Sequence, residues 1–223
     1  MTLHADIREL VPAISESSLV LSVNRVRGSG LEIQEPEHDS LLYVVAGSGS
    51  LTLESEPVDL STGSAALVLA GETAMIAPGS AELELLHAIV GPEADRHAPL
   101  SARQVVVDVE GASASQATGA RSFRVLFGPH NGSLRATLFA GYLPPGRAPW
   151  HFHLYDEIVW VPEGPGRVLR RDSDEALGPG AAFRLRPREV HIVENSSPDQ
   201  TMTLIGIFTP AGNPSAAYLA PEP

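Results

Sequence analysis

The chain has 223 residues, 43% of them hydrophobic, which is enough to bury a core in one large or two small domains. It contains no cysteine, so a disulfide framework, a thiolate nucleophile and a sulfur-ligated metal are all excluded, and any metal must rest on nitrogen and oxygen. The formal net charge of −12 argues against a nucleic-acid partner. That excess lies entirely in residues 1–120, which hold 5 Arg against 17 Asp and Glu, whereas residues 121–223 hold 10 of each. Lysine is absent, and the arginines of the second half read either as solvated strand faces or as forks for a substrate carboxylate.

In chain order, the first candidate element is "HADIRELVPAI", an amphipathic stretch of helical character interrupted by Pro12. The start lacks the basic-then-apolar layout of a secretory signal, and no apolar run reaches the ~20 residues of a spanning helix, so a cytoplasmic protein without a membrane partner is expected. Short β-branched and aromatic runs follow, among them "LYVV", "LTLE" and "ALVLA", each closed by Gly or Pro turns. "GPEADRHAPLSARQ" and "GASASQATGA" have the composition of linkers. Beyond them the strand-like pattern resumes with "IVWV" and "TLIGIF". Such spacing predicts an all-β sandwich or barrel.

The chain also repeats itself. At an offset of 117, "SLVLSVNRVRGSGLEIQEPEHDSLLYVVAGSGSL" from Ser18 aligns without a gap on "RATLFAGYLPPGRAPWHFHLYDEIVWVPEGPGRV" from Arg135. "LSTGSAALVLAGETAMIAP" from Leu60 falls on "LGPGAAFRLRPREVHIVEN" from Leu177, and Gly47, Gly49 and Gly63 land on Gly164, Gly166 and Gly180. Apolar positions and turn glycines agree, so a duplication is predicted, with one barrel over 1–97, a linker over 98–120 and a second barrel over 121–223.

One stretch of the second copy concentrates ligand-type residues. In "WHFHLYDEIVWVPEG" His151 and His153 share one strand face, and after a short turn Glu157 shares parity with Val159 and Val161, leaving Ile158 and Trp160 opposite. "RLRPREVHIVEN" adds His191, followed at the same parity by Val193. Two or three imidazoles with one carboxylate suit a single divalent transition metal (Fe, Mn, Ni, Cu or Zn) with one or two positions left for substrate. Val159, Val161 and Val193 are expected to make apolar walls. On the strand after Arg135, residues Arg135, Thr137 and Phe139 share one face and Ala136, Leu138, Ala140 and Tyr142 the other, and the pattern leaves open which is inward; Arg135 and Tyr142 are the candidates for contacting substrate.

These residues resemble the cupins, and in duplicate the bicupins, over nearly the whole chain. The first cupin motif runs Gly, five residues, His-x-His, three or four residues, Glu, six residues, Gly; here only four residues separate Gly146 from His151, and His153, Glu157 and Gly164 keep the spacing. The second motif ends in His, three residues and Asn, as His191 and Asn195 do, but Arg188 stands where its turn glycine is usual and Arg186 where its proline is. The resemblance implies two jelly-roll barrels and a metal held by His151, His153, Glu157 and His191, with Glu157 also catalytic. The matching positions of copy one are Gln34, Pro36, Ser40 and Ala74, so the first barrel is expected to be metal-free, to cover the second barrel and to help form a homodimer. His38 is expected in a surface turn, and His4, His87, His97 and His130 on the surface or in satisfied packing.

Three function classes follow. The resemblance points first to a dioxygenase cleaving an enediol, a catechol-like compound or a keto acid. The second class is a redox-neutral isomerase, decarboxylase, lyase or cyclase, and the third a non-catalytic binding protein. In each the partner is a small molecule, with an anion among the candidates.

Overall fold

A computed structural model describes residues 3–54 and 56–222, and every regular element in it is a β-strand. The first half forms β1 (Leu3–Val11), β2 (Val20–Gly28), β3 (Leu31–Gln34), β4 (Asp39–Ala46), β5 (Ser48–Thr52), β6 (Pro57–Ser61), β7 (Ser64–Val68), β8 (Thr73–Pro78), β9 (Leu83–Val90) and β10 (Val106–Asp108). The second half forms β11 (Ala114–Gln116), β12 (Ser122–Phe127), β13 (Thr137–Leu143), β14 (Gly146–Arg147), β15 (His151–Phe152) and β16 (Asp156–Val161). It continues through β17 (Gly166–Arg170), β18 (Ser173–Leu177), β19 (Ala181–Leu185), β20 (His191–Asn195), β21 (Met202–Thr209) and β22 (Tyr218–Leu219). The stretch expected as a linker, 98–120, thus carries β10 and β11.

The first half pairs a six-stranded sheet with a four-stranded one, and the second half pairs two six-stranded sheets, the last of them including β14 beside β20. The orders are β1-β2-β9-β4-β7-β10 with β3-β8-β5-β6, and β11-β12-β13-β21-β16-β19 with β18-β17-β20-β15-β22. The offset of 117 places β2, β9, β4 and β7 on β13, β21, β16 and β19, and Ser64–Val68 coincides with Ala181–Leu185 residue for residue. The duplication seen in the sequence is therefore a duplication of topology.

The predicted helix is absent. Residues Leu3–Val11 instead pair antiparallel with β2 from Leu3–Gly28 to Val11–Leu21, because edge pairing on a preformed sheet outweighs the weak helical pattern. Charged Asp6, Arg8 and Glu9 are exposed along this edge strand, which discourages further pairing. Among the described residues no helix is long and apolar enough to cross a membrane.

Both faces of the two sheets that contain β4 and β16 are covered, which explains why these strands read as nearly continuous apolar runs. One face of each builds a core shared by the two halves: Leu21, Val23, Leu41, Leu86 and Ala88 pack with Leu138, Ala140, Ile158, Trp160, Ile205 and Ile207. Fully burying each large side chain there contributes about 1.5–3 kcal/mol. Copy one does cover copy two. Arg135 belongs to this contact: its Nη1 donates to the carbonyl of Glu37 at 2.8 Å and lies 3.5 Å from the carboxylate of Asp39. Its expected role in substrate binding is thus overturned, since the buried guanidinium finds its partners across the interface instead of in the second barrel.

The other face of each large sheet lines a lumen. In the first barrel Val26, Ile33, Leu42, Val44, Leu51, Leu60, Ala74 and Ile76 fill it. A buried polar chain completes the filling. Ser22 Oγ donates to Asn24 Oδ1 (3.1 Å), Asn24 Nδ2 to His87 Nδ1 (3.3 Å), and His87 Nε2 to Ser40 Oγ (2.9 Å). Burial pushes the His87 pKa down to about 4 from 6.5, whereas the unfolded chain takes up that proton near 6.5. The stabilisation from neutral His87 is therefore complete above about pH 6.5 and is lost as the pH falls toward 4. Urea midpoints for His87→Gln should fall off less steeply than wild type in that window, by up to about 1.4 kcal/mol per pH unit. Superimposable pH profiles would contradict the assignment.

Candidate metal centre

The second lumen keeps an apolar lower part, with Val161, Val168, Leu177 and Phe183 among its residues. Above it the ligand-type residues meet. His151 on β15 is the direct cross-strand partner of His191 on β20, His153 follows β15, and Glu157 comes from β16 in the opposing sheet. One ring nitrogen from each of the three histidines lies within 4.8 Å of the others. Ring centroids are 4.5 Å apart for His151–His191, 4.7 Å for His153–His191 and 5.4 Å for His151–His153. Glu157 Oε2 is 3.4 Å from His153 Nε2. All four side chains are buried, at 6% or less exposure.

Second contacts fix the ring orientations. His151 Nδ1 faces the carbonyl of Pro149 at 2.7 Å and His191 Nδ1 that of Glu189 at 2.8 Å. A carbonyl only accepts, so each Nδ1 carries the proton and each Nε2 keeps its lone pair for another partner. His153 Nδ1 is buried without a hydrogen-bond partner. Desolvation, reinforced by neighbouring imidazoles, pushes His153 down to about 2 and His191 to about 3, so all are neutral donors. Burial, with the adjacent Asp156 charge, raises Glu157 to about 8. The His153–Glu157 contact therefore joins two neutral groups and is no ion pair while no cation is present. Three neutral imidazoles beside one carboxyl, all shielded from water, fit a divalent transition metal, whose charge would drive Glu157 to its carboxylate.

The turn before His191 departs from the usual cupin residues but not from the needed geometry. Arg188 adopts a left-handed backbone, φ 66°, where the family pattern has glycine, and its amide donates to the carbonyl of His153 at 2.7 Å. This bond ties the two histidine-bearing segments together.

A cavity of about 100 Å³ opens onto the histidines. Phe123, Phe139, Leu143, Val159, Leu185, Val193 and Leu204 supply its apolar walls, with Tyr142, Tyr155 and Arg121 as polar members. Of the residues expected to contact substrate, Tyr142, Val159 and Val193 line it, whereas Val161 lies deeper in the packed core and Arg135 at the interface. Phe139, Gly141 and Leu143 show that the odd-numbered face of β13 turns inward, whereas Tyr142, which also borders the cavity, belongs to the face that packs against the shared core. His130 and His97 are exposed and His38 half-buried, whereas the expectation for His4 concerns a side chain outside the described residues.

Four contributors escaped the sequence reading. Tyr155 is stacked between His153 (4.4 Å) and Phe208 (4.0 Å), and its hydroxyl donates to the carbonyl of Pro214 at 3.2 Å. It shares the parity of His153 and Glu157, a signal that was available. Pro214 and Arg121 reach the cavity from distant loops, and no local pattern marks them. Gly206, inside "TLIGIF", carries the usual mark of close approach. A Cβ there would sit 2.3 Å from Phe139 Cε1 and Cζ and 3.1 Å from Glu157 Oε1. Gly206→Ala should push Phe139 into the cavity, cost about 1–3 kcal/mol in urea unfolding and lower metal content. Wild-type stability together with wild-type metal content would contradict this packing.

Comparison with solved structures identifies the architecture. The chain superposes on oxalate decarboxylase from Bacillus subtilis with a TM-score of 0.77, at 14% identity, over 97% of this chain and 77% of that one. The chain has the bicupin fold. AerE from Microcystis aeruginosa matches this chain with a TM-score of 0.74 and 16% identity over 92% of both chains. A glyoxylate-induced protein from Pseudomonas aeruginosa, described as putative, gives 0.76 at 14% identity over 91% of this chain and 79% of that one. No family model matches the sequence. An L-ectoine synthase from Rhodococcus opacus (strain B4) is 35% identical over 63 residues, 27% of this chain and 46% of that protein. The chain thus spans about half the length of the curated relatives it matches.

Proposed function

We propose that this bicupin is a metal-dependent enzyme acting on a small organic substrate in its second barrel. The observation that carries the reading is the convergence of His151, His153 and His191, with Glu157 beside them, at a cavity with apolar walls. These four residues would hold one divalent transition metal, which supplies Lewis-acid polarisation of a substrate oxygen. The chain's own residues do the rest. Phe139, Val159 and Val193 exclude water, the carbonyls of Pro149 and Glu189 hold two imidazoles in register, and Glu157 is placed to hold or move a proton at its carboxyl oxygen.

Two reaction classes fit such a centre. Oxygen-dependent cleavage of an enediol, catechol-like compound or keto acid is what the cupin resemblance implies. Redox-neutral chemistry, in which a metal would polarise a substrate carbonyl, needs no second reactant beside the substrate in a cavity of about 100 Å³. The names of the similar proteins, a synthase and a decarboxylase, point the same way, as neither is that of an oxygenase. We favour the redox-neutral class. An oxygen electrode with metal-loaded protein and a panel of keto acids and catechols separates the two. Turnover without oxygen uptake supports the redox-neutral reading, stoichiometric uptake supports the dioxygenase, and binding without turnover defeats the enzyme reading.

A further inference from the structure

The second barrel holds a cation that its fold does not explain. Arg121 lies at the end of the turn that joins β11 to β12, where the amide of Ala117 donates to the carbonyl of Arg121 at 2.9 Å and Gly119 takes a left-handed φ of 76°. Arg121 Nε donates to the carbonyl of Thr118 at 3.0 Å, so the turn itself aims the side chain. The half-buried guanidinium lines the cavity, and its charge acts on His151, His153 and His191 and on Tyr155. Among the described residues no carboxylate forms an ion pair with it; of the other arginines without one, Arg8, Arg96, Arg171, Arg186 and Arg188 are exposed and Arg124 is held by the carbonyls of Glu110 and Ala112.

Charge then decides what the cavity accepts. A divalent metal with three neutral imidazoles and one carboxylate leaves a net charge of about +1, and Arg121 raises it to about +2 between apolar walls. A neutral ligand leaves that charge uncompensated, whereas an organic anion neutralises it and gives the guanidinium fork the planar partner it suits. The volume of about 100 Å³ is well below the roughly 300–1,000 Å³ of sites that enclose drug-sized ligands, so the anion is small.

We propose that Arg121 is the specificity-determining residue of the site and binds the carboxylate of a small 2-oxo or 2-hydroxy acid whose second oxygen faces the histidine cluster. The proposal rests on the metal-site reading. Calorimetric titration of metal-loaded protein with pyruvate, glycolate and lactate, with methyl pyruvate as the uncharged counterpart and acetohydroxamic acid as a neutral chelator, tests both separately. At least one of the three acids should bind wild type, and for pyruvate the affinity should exceed that for methyl pyruvate at least tenfold. Arg121→Gln should lose at least tenfold in affinity for the acid that binds and none for acetohydroxamic acid, and Arg121→Lys should recover part of the loss. Acetohydroxamic acid failing to bind wild type would defeat the metal-site reading. Its binding with unchanged acid affinity in Arg121→Gln, or with none of the three acids bound by wild type, would overturn the role of Arg121.

Discussion

Replacing His151 and His191 together by alanine should remove metal binding and turnover while leaving both barrels folded. The two residues are a direct cross-strand pair and supply two of the three nitrogen donors, so one imidazole and Glu157 remain, too few to hold a transition metal tightly. In the apo protein the loss is small. Each ring makes one bond through Nδ1, to the carbonyl of Pro149 or Glu189, worth about 1 kcal/mol net, and each is a polar group buried among others of its kind. The contrast appears on adding metal: at a hundredfold excess over Kd the wild type gains about 2.7 kcal/mol, and the double variant gains nothing. Thermal midpoints with and without metal, read beside elemental analysis, check both parts. Wild-type metal content in the variant would refute the ligand assignment.

Glu157→Gln should retain the fold but hold metal more weakly and lower activity at least about tenfold, a loss of ~1.4 kcal/mol in transition-state stabilisation. The substitution keeps size and one oxygen donor and removes only the ionisable oxygen. With no metal, burial keeps the Glu157 carboxyl protonated up to about pH 8, so the neutral amide costs the apo protein little. Once a cation is bound, the carboxylate is the one negative charge among the four ligands, and the amide cannot replace it. An ordinary surface carboxylate would show a stability change within about ±0.5 kcal/mol and no change in metal content. Equal metal content and equal turnover would show that Glu157 is not a ligand.

Much of the barrel and its ligand cluster was legible because both depend on short-range periodicity. Parity alone placed His151 and His153 on one face and separated Val159 from Ile158 and Trp160, which do lie on the lumen and interface sides. The repeat at 117 exposed the absence of ligands in copy one, and the structure shows what stands there: Ser40, at the position of Glu157, accepts a hydrogen bond from His87. Failures came where the answer lay in long-range contact. Nothing near Arg135 reveals that Asp39 and Glu37 of the other half receive its guanidinium. The turn that carries Arg121 has a composition that reads as a linker, and only the β11–β12 pairing brings it to the cavity. Residues Leu3–Val11 look helical until the neighbouring strand is known.

The central claim is that one metal is held per chain, in the second barrel. In the first barrel the positions that match the four candidate ligands are Gln34, Pro36, Ser40 and Ala74, and the imidazole buried in that lumen, His87, has both ring nitrogens engaged by Asn24 and Ser40. Elemental analysis of the purified wild-type protein by mass spectrometry, after dialysis against metal-free buffer, measures this directly. The account predicts one equivalent of a single divalent transition metal per 23.6 kDa chain. Two equivalents, or none after incubation with excess Mn, Fe, Co, Ni, Cu and Zn in turn, would contradict it.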